Sequence, residues 1–335
     1  MWEIINFCIL LIILIIIILI IILFVFYYYK IRSYVDEAIK HIGELIPTFG
    51  EYEYSSIDYS NQNNLDLDDF LDINFNKDIA SILCQINMSS YNLFSGFDPR
   101  LPDNLKYLTN INNTGYIYEL KGWSKQIIIF SFRGTKTGDD VITDLDSVQT
   151  EMVGYPKNVL THRGFYRLWL PCKDSIKKFV KDKCTKDTIF LITGHSLGCA
   201  SALLSALMIS SSQGTTKGGV RGDFGARAGE NVKFYMFAPP RIGNHHLIDL
   251  LNKEVPSNYA VINTPDIIPN LPPVTFTTIG STWLYENFTN RYVLDYQLGS
   301  IMLNHRLDTY YCGLNEKSEL CREPIWKKIP VMVTS

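Results

Sequence analysis

The fold is decided by one stretch of the sequence, Asp187-Thr-Ile-Phe-Leu-Ile-Thr-Gly-His-Ser-Leu-Gly-Cys-Ala-Ser-Ala-Leu-Leu204. Its beginning is a short apolar run rich in β-branched side chains, which is typical of a buried strand. The residues from Leu197 onward are rich in Ala and Leu and predict a helix. The pentapeptide Gly-x-Ser-x-Gly lies between the two. At a strand-to-helix turn this pattern predicts a nucleophilic serine, Ser196, on a tight and strained turn. An ordinary glycine-rich turn is the alternative interpretation.

Further strands are predicted on both sides of this stretch. Residues 126–132, 232–238 and 259–263 are short apolar runs, and the first two end at glycine or proline. Residues 77–92 carry apolar side chains at helical spacing. Strands that alternate with helices predict an α/β domain with a mostly parallel central sheet. Residues 210–230 are rich in Gly, Ser and Thr and predict a surface loop.

A nucleophilic serine requires a base that is oriented by an acid. In α/β hydrolases the acid and then the histidine follow the serine along the chain. We expect Asp266 to be the acid, because it follows the predicted strand 259–263 and would lie at the carboxyl edge of the sheet. We expect His305 to be the base. The remaining candidates after Ser196 are two histidines that precede the acid and three carboxylates, namely His245, His246, Asp249, Asp295 and Asp308.

An oxyanion hole is expected beside the serine. The Leu197 backbone N–H would lie at the N-terminus of the predicted helix, where developing negative charge is stabilised. A second donor is expected from Thr135, which follows the end of the predicted strand 126–132.

Several short motifs together resemble the class 3 lipases, the fungal triacylglycerol-lipase-like α/β hydrolases. In chain order they are Phe132-Arg-Gly-Thr135, His162-Arg-Gly-Phe165, Gly194-His-Ser-Leu-Gly198, Pro240-Arg-Ile-Gly-Asn244, Asp266-Ile-Ile-Pro269 and His305. The resemblance covers roughly residues 117–311. It implies an α/β-hydrolase fold, a triad of Ser196, Asp266 and His305, and an oxyanion hole formed by Thr135 and Leu197. It implies no metal and no organic cofactor.

The resemblance also assigns other parts of the sequence. It makes His162 a buried structural residue, and His195 is expected to pack beneath the turn. It places a lid at about residues 136–148, where Val141 stands at a position that is often Trp in the family.

The N-terminus predicts a membrane anchor. Residues 4–26 are almost entirely apolar, and no charge lies between Glu3 and Lys30. About 20 apolar residues suffice for a helix to cross a bilayer. A cleaved signal peptide is the alternative, but its apolar region is shorter, about 7–15 residues, and follows a basic segment. Lys30 and Arg32 follow the predicted helix and favour a cytoplasmic location for the catalytic domain. The predicted organisation is an anchor at 1–30, a connecting region at 31–76 and the hydrolase domain at 77–335.

Composition excludes some classes of function. The net charge of −3 and the absence of a basic stripe argue against a nucleic-acid partner. The seven cysteines show no metal-ligand spacing. Cys312 and Cys321 would be able to pair in an oxidising compartment.

Together these features predict a single-pass, membrane-anchored serine lipase or esterase whose partners are the membrane and a lipid or other acyl-ester substrate. Three alternatives stay open: a catalytically silent binding protein with a hydrolase fold, an esterase for small non-lipid esters, and a peptidase. Loss of a triad residue would favour the silent protein, but Ser196, Asp266 and His305 are all present.

Overall fold

The computed structural model describes residues 65–97, 101–134, 147–210, 231–278 and 280–315, together with Tyr27, Lys30, Tyr54 and Cys321. The predicted anchor helix, Thr135 and nearly all of the predicted lid lie outside these residues. Within the described ranges, no helix has the length and apolar content needed to cross a bilayer. The chain divides into two compact units, Met1–Pro47 and Thr48–Ser335.

A seven-stranded sheet forms the centre of the described domain. The strands in chain order are β1 (Leu105–Ile111), β2 (Gly115–Leu120), β3 (Ile127–Phe132), β4 (Gln149–Glu151), β5 (Leu160–His162), β6 (Ile189–His195), β7 (Val232–Phe237), β8 (Ser257–Asn263), β9 (Thr275–Thr278), β10 (Ser281–Leu284) and β11 (Arg291–Leu294). The order across the central sheet is β1-β2-β3-β6-β7-β8-β11. Strands β3, β6, β7, β8 and β11 are parallel, whereas β1 and β2 pair antiparallel at one edge. The predicted mostly parallel sheet is therefore confirmed.

Helices cover both faces of this sheet. They are α1 (Lys77–Phe94), α2 (Arg163–Lys183), α3 (Gly198–Ser210), α4 (His245–Glu254), α5 (Ile301–His305) and α6 (Leu307–Leu314). Alternate residues of β3 contribute to two separate hydrophobic cores. Ile127 and Ile129 pack with α1 and α6, and Ile128 and Phe130 pack with α2, α3 and α4. A strand buried on both faces requires a continuous apolar sequence, which explains why β3 lacks a polar alternation.

The packed domain begins before α1. Residues 65–76, which the sequence analysis assigns to the connecting region, contribute buried Leu65 and Phe70 to the core beneath α1. The ring of Phe75 stacks on Tyr292 of β11 with 4.1 Å between the ring centroids. Asn76 then caps α1 by accepting hydrogen bonds from two backbone N–H groups of its first turn. These apolar side chains cover a face of the sheet that would otherwise contact water.

Polar side chains fix the position of α1 on the sheet. The Asn87 amide donates to the Thr193 hydroxyl of β6 at 2.7 Å and accepts from the Ser131 hydroxyl of β3 at 3.1 Å. Ser90, one turn later, bonds to Ser131 and to the Tyr118 hydroxyl. All five residues are fully buried. Because a buried polar group without a partner is costly, this network permits only one register of α1 against β3 and β6.

Candidate active site

Ser196 lies on the turn between β6 and α3. Its backbone φ is +54°, a left-handed conformation that is rare for a residue with a side chain. The Ser196 N–H donates to the Phe237 carbonyl of β7 at 2.9 Å, which holds the turn against the neighbouring strand. Backbone strain of this kind persists only where the surrounding packing enforces it. The turn therefore has the features of the predicted strained elbow.

Two glycines allow the chain to pack closely at this turn. A Cβ atom on Gly198 would lie 2.3 Å from the Phe132 carbonyl oxygen. A Cβ atom on Gly194 would lie 2.6 Å from the Gly198 carbonyl oxygen. Both distances are shorter than any allowed contact, so the pentapeptide requires glycine at both positions for steric reasons.

Asp266 and His305 meet in the buried interior. The imidazole Nδ1 of His305 lies 2.7 Å from Asp266 Oδ2, and each residue is only 2% exposed. Because a carboxylate can only accept, Nδ1 carries the proton and Nε2 keeps its lone pair. His305 is then in the tautomer that a general base for a serine hydroxyl requires.

Further hydrogen bonds fix the Asp266 carboxylate. Oδ1 accepts from the Ile268 N–H at 3.0 Å, and Oδ2 also accepts from the Tyr310 hydroxyl at 2.7 Å. Burial, and then the nearby Asp266 carboxylate, raise the pKa of Tyr310 well above its ordinary value. The Tyr310 hydroxyl consequently stays protonated and remains a donor. Tyr310 was not identified from the sequence, because only the folding of α6 beside β8 brings it to Asp266.

The competing candidates lie elsewhere in the structure. Asp249 is exposed on α4 and Asp295 is exposed after β11. Asp308 forms an ion pair with Arg306 at 2.8 Å and has a side chain that is 47% exposed. His245 and His246 begin α4, with their rings against each other at 3.8 Å. None of these five side chains takes the place of Asp266 or His305.

Of the two expected oxyanion donors, Leu197 lies within the described residues and Thr135 does not. The Leu197 N–H precedes α3 and forms no hydrogen bond with another described residue. Thr135 lies outside the described residues, so its part in an oxyanion hole stays a prediction. The preceding Gly134 is described and packs directly on the turn, since a Cβ atom there would lie 3.1 Å from Ser196 Cβ.

The two structural histidines have defined contacts. His162 is buried, and its Nδ1 accepts from the Phe165 N–H at 3.3 Å at the start of α2. The His195 ring is buried beneath the elbow between Tyr91 and His305, with centroid distances of 5.8 Å and 4.8 Å. Tyr91 was also not identified from the sequence.

Among the described residues, no cluster of three or more His, Cys, Asp and Glu side chains could hold a metal ion. Cys312 of α6 forms a disulfide with Cys321.

Comparison with known proteins identifies the domain. Residues 129–276 match the family model described as lipase (class 3). A secreted mono- and diacylglycerol lipase of Fusarium solani is 25% identical over 175 residues, covering 45% of this chain and 48% of that protein. The chloroplastic phospholipase A(1) DAD1 of Arabidopsis thaliana is 24% identical over 173 residues, covering 47% of this chain and 36% of that protein. The chain thus spans less than half the length of these relatives.

A solved structure shares the fold. It is a triacylglycerol lipase whose catalytic centre is formed by a serine protease triad, and it aligns with a TM-score of 0.51 and 20% identity. The alignment covers 64% of this chain and 78% of that chain. The fold is thus the α/β-hydrolase fold of lipases, and residues 129–276 match the class 3 lipase family model.

Proposed function

We propose that this chain is a serine lipase or esterase that hydrolyses acyl ester bonds of glycerolipids. The observation that carries the proposal is the 2.7 Å hydrogen bond between buried His305 and Asp266. The strained turn at Ser196 supports the same function. The similarity to a mono- and diacylglycerol lipase and to a phospholipase A(1) supports a glycerolipid substrate.

The proposed reaction has two stages. In the first, Ser196 Oγ attacks the ester carbonyl carbon and transfers its proton to Nε2 of His305. The carbonyl electron pair moves to the oxygen, which accepts hydrogen bonds from the N–H groups of Leu197 and Thr135. Collapse of this intermediate expels the alcohol, which takes the proton from His305. Asp266 stabilises the imidazolium throughout. The product of this stage is an acyl ester on Ser196.

Water completes the cycle. His305 removes a proton from a water molecule as its oxygen attacks the acyl carbon. The second tetrahedral intermediate breaks the bond to Ser196 Oγ, which recovers the proton from His305. The fatty acid then leaves. No step requires a metal or an organic cofactor.

Labelling with a fluorophosphonate probe tests the nucleophile. We expect the wild-type chain to be labelled and to hydrolyse p-nitrophenyl butyrate, and we expect Ser196→Ala to lose both properties. Ser201→Ala is the matched control, because Ser201 is a buried serine in the adjacent helix α3. A wild-type chain that is neither labelled nor active would indicate a catalytically silent hydrolase-fold protein instead.

A lipid panel tests the substrate class. Monoacylglycerol, diacylglycerol and phosphatidylcholine are offered to the full chain in mixed vesicles, beside a soluble p-nitrophenyl ester. We expect fatty acid to be released from at least one glycerolipid. Hydrolysis of the soluble ester alone would favour an esterase for small substrates.

We also propose that residues 4–26 anchor the chain in a membrane as a single helix. Their almost entirely apolar and uncharged sequence supports the anchor. Lys30 and Arg32 favour a cytoplasmic catalytic domain, whereas the disulfide between Cys312 and Cys321 is typical of oxidising compartments. Protease protection in sealed vesicles, with and without detergent, decides the side. Release of the chain by alkaline carbonate would contradict the anchor.

A further inference from the structure

Three consecutive hydrogen bonds run beneath the candidate active site. The Gly134 N–H lies 2.7 Å from the hydroxyl oxygen of Tyr91 in α1. The same hydroxyl lies 2.8 Å from Nδ1 of His195, and Nε2 of His195 lies 2.9 Å from the backbone carbonyl oxygen of His305. The three bonds therefore connect the end of β3, the residue before Ser196 and the backbone of the proposed base.

The donors and acceptors of this network have only one consistent arrangement. The His305 carbonyl can only accept, so Nε2 of His195 carries the proton. In a neutral imidazole Nδ1 must then accept, and the Tyr91 hydroxyl donates to it. The Tyr91 oxygen is left to accept from the Gly134 N–H. Burial lowers the pKa of His195 well below its ordinary value, which keeps the ring neutral.

Protein atoms pack closely around the Tyr91 hydroxyl and the His195 ring. Tyr91 and His195 are both buried. A Cβ atom on Gly134 would lie 2.6 Å from the Tyr91 hydroxyl oxygen, so this hydroxyl lies directly against the backbone at the end of β3. Helix α1 is itself fixed on the sheet by Asn87 and Ser90. Tyr91 therefore connects a helix fixed on the sheet to Gly134 and, through His195, to the backbone of His305.

We infer that Tyr91 is a positioning residue for the hydrolysis proposed above. It holds the backbone of Gly134 against the turn of Ser196. Through His195 it also holds the backbone of His305. Tyr91 does not touch the reacting atoms, so its loss alters the geometry of the transition state and not the binding of substrate.

The variant Tyr91→Phe tests this inference in the full chain purified in detergent. It removes only the hydroxyl, which leaves the Gly134 N–H and His195 Nδ1 without their partner. Tyr118→Phe is the matched control, because Tyr118 is also a buried tyrosine and its hydroxyl bonds to Ser90 of the same helix. Fluorophosphonate labelling counts the competent Ser196 sites, so that kcat is expressed per competent site and not per total protein.

We expect Tyr91→Phe to lower kcat for p-nitrophenyl butyrate about tenfold to a hundredfold, with KM changed less than about twofold. Tyr118→Phe should keep the wild-type kcat even if its Tm falls. A wild-type kcat in Tyr91→Phe, or an equal loss of kcat in Tyr118→Phe, would overturn the inference. An inactive and unlabelled wild-type chain would instead contradict the proposed function itself.

A second pair of variants covers the case in which Tyr91→Phe does not fold. His195→Gln keeps an N–H donor for the His305 carbonyl, whereas His195→Leu offers none. We expect His195→Gln to retain a kcat per labelled site at least about fivefold above that of His195→Leu, within the usual range for one hydrogen bond. Equal kcat values for the two variants would contradict the positioning of His305 through His195.

Discussion

Replacing Asp266 with Asn tests how the buried carboxylate controls His305. Three donors converge on this group: Nδ1–H of His305 at 2.7 Å, the Tyr310 hydroxyl at 2.7 Å and the Ile268 N–H at 3.0 Å. A carboxylate satisfies all three. The amide of Asn has one oxygen and one NH₂ group, so at least one donor must face another donor.

Both orientations of the amide are unfavourable. If its oxygen takes the place of Oδ2, its NH₂ group faces the Ile268 N–H, and no negative charge remains to stabilise the imidazolium. If its NH₂ group takes that place, His305 must accept at Nδ1 and carry its proton on Nε2. It can then no longer remove the proton from Ser196. We expect kcat to fall about 10³- to 10⁴-fold, or about 4–5.5 kcal/mol of transition-state stabilisation.

The assay is initial-rate hydrolysis of p-nitrophenyl butyrate with active sites counted by fluorophosphonate. Asp308→Asn is the matched control, because Asp308 lies on α6 close to His305 but pairs with Arg306 at the surface. We expect this control to keep kcat within about twofold, as is usual for an exposed ion pair. An Asp266→Asn variant within tenfold of the wild type, or an Asp308→Asn variant as impaired as Asp266→Asn, would refute the assignment of the acid.

Further predictions concern the turn, the carboxylate and the core. Gly198→Ala should lower the free energy of unfolding by about 2 kcal/mol or more in a urea titration and abolish probe labelling, because its Cβ would lie 2.3 Å from the Phe132 carbonyl oxygen. Tyr310→Phe should lower kcat about tenfold with little change in KM, because Asp266 loses one charge-assisted hydrogen bond; an unchanged kcat would contradict this role. Lys233 is 2% exposed, and burial lowers its pKa from 10.5 to about 8. Between pH 8 and pH 10.5 the Lys233 amine is protonated in the unfolded chain but neutral in the folded chain. The free energy of unfolding of the wild type should therefore rise with pH through this range. Lys233→Met should lack this rise and should be more stable near pH 7, by at most about 3 kcal/mol. Urea unfolding at pH 7 and pH 10 measures both effects, and parallel pH dependence in the two proteins would contradict them.

The parts of the fold that follow from local sequence were predictable. Strands β3, β6 and β7 are continuous apolar runs, and α1 and α3 follow from periodicity and from Ala and Leu content. These features depend on residues that are close in the sequence, because their steric and hydrophobic preferences determine the conformation of a single helix or strand.

Other elements required partners that are distant in the sequence. Strand β1 has mixed burial and β11 has only four residues, so neither carries a strong period of its own. Helix α2 is capped by His162 and contains Pro171. It is stable because its apolar face packs on α3, which the sequence pattern does not reveal.

At the turn of Ser196, the amino-acid sequence alone predicts the nucleophilic pentapeptide, its place between a strand and a helix, and the chain order that favours Asp266 and His305. These are properties of covalent order and local sterics. The folded chain is needed to see that Tyr310 donates to Asp266 and that Tyr91 connects Gly134, His195 and the His305 backbone. The reason is physical: these hydrogen bonds join residues about 40 to 110 positions apart, and only packing of α1 and α6 on the sheet brings them together.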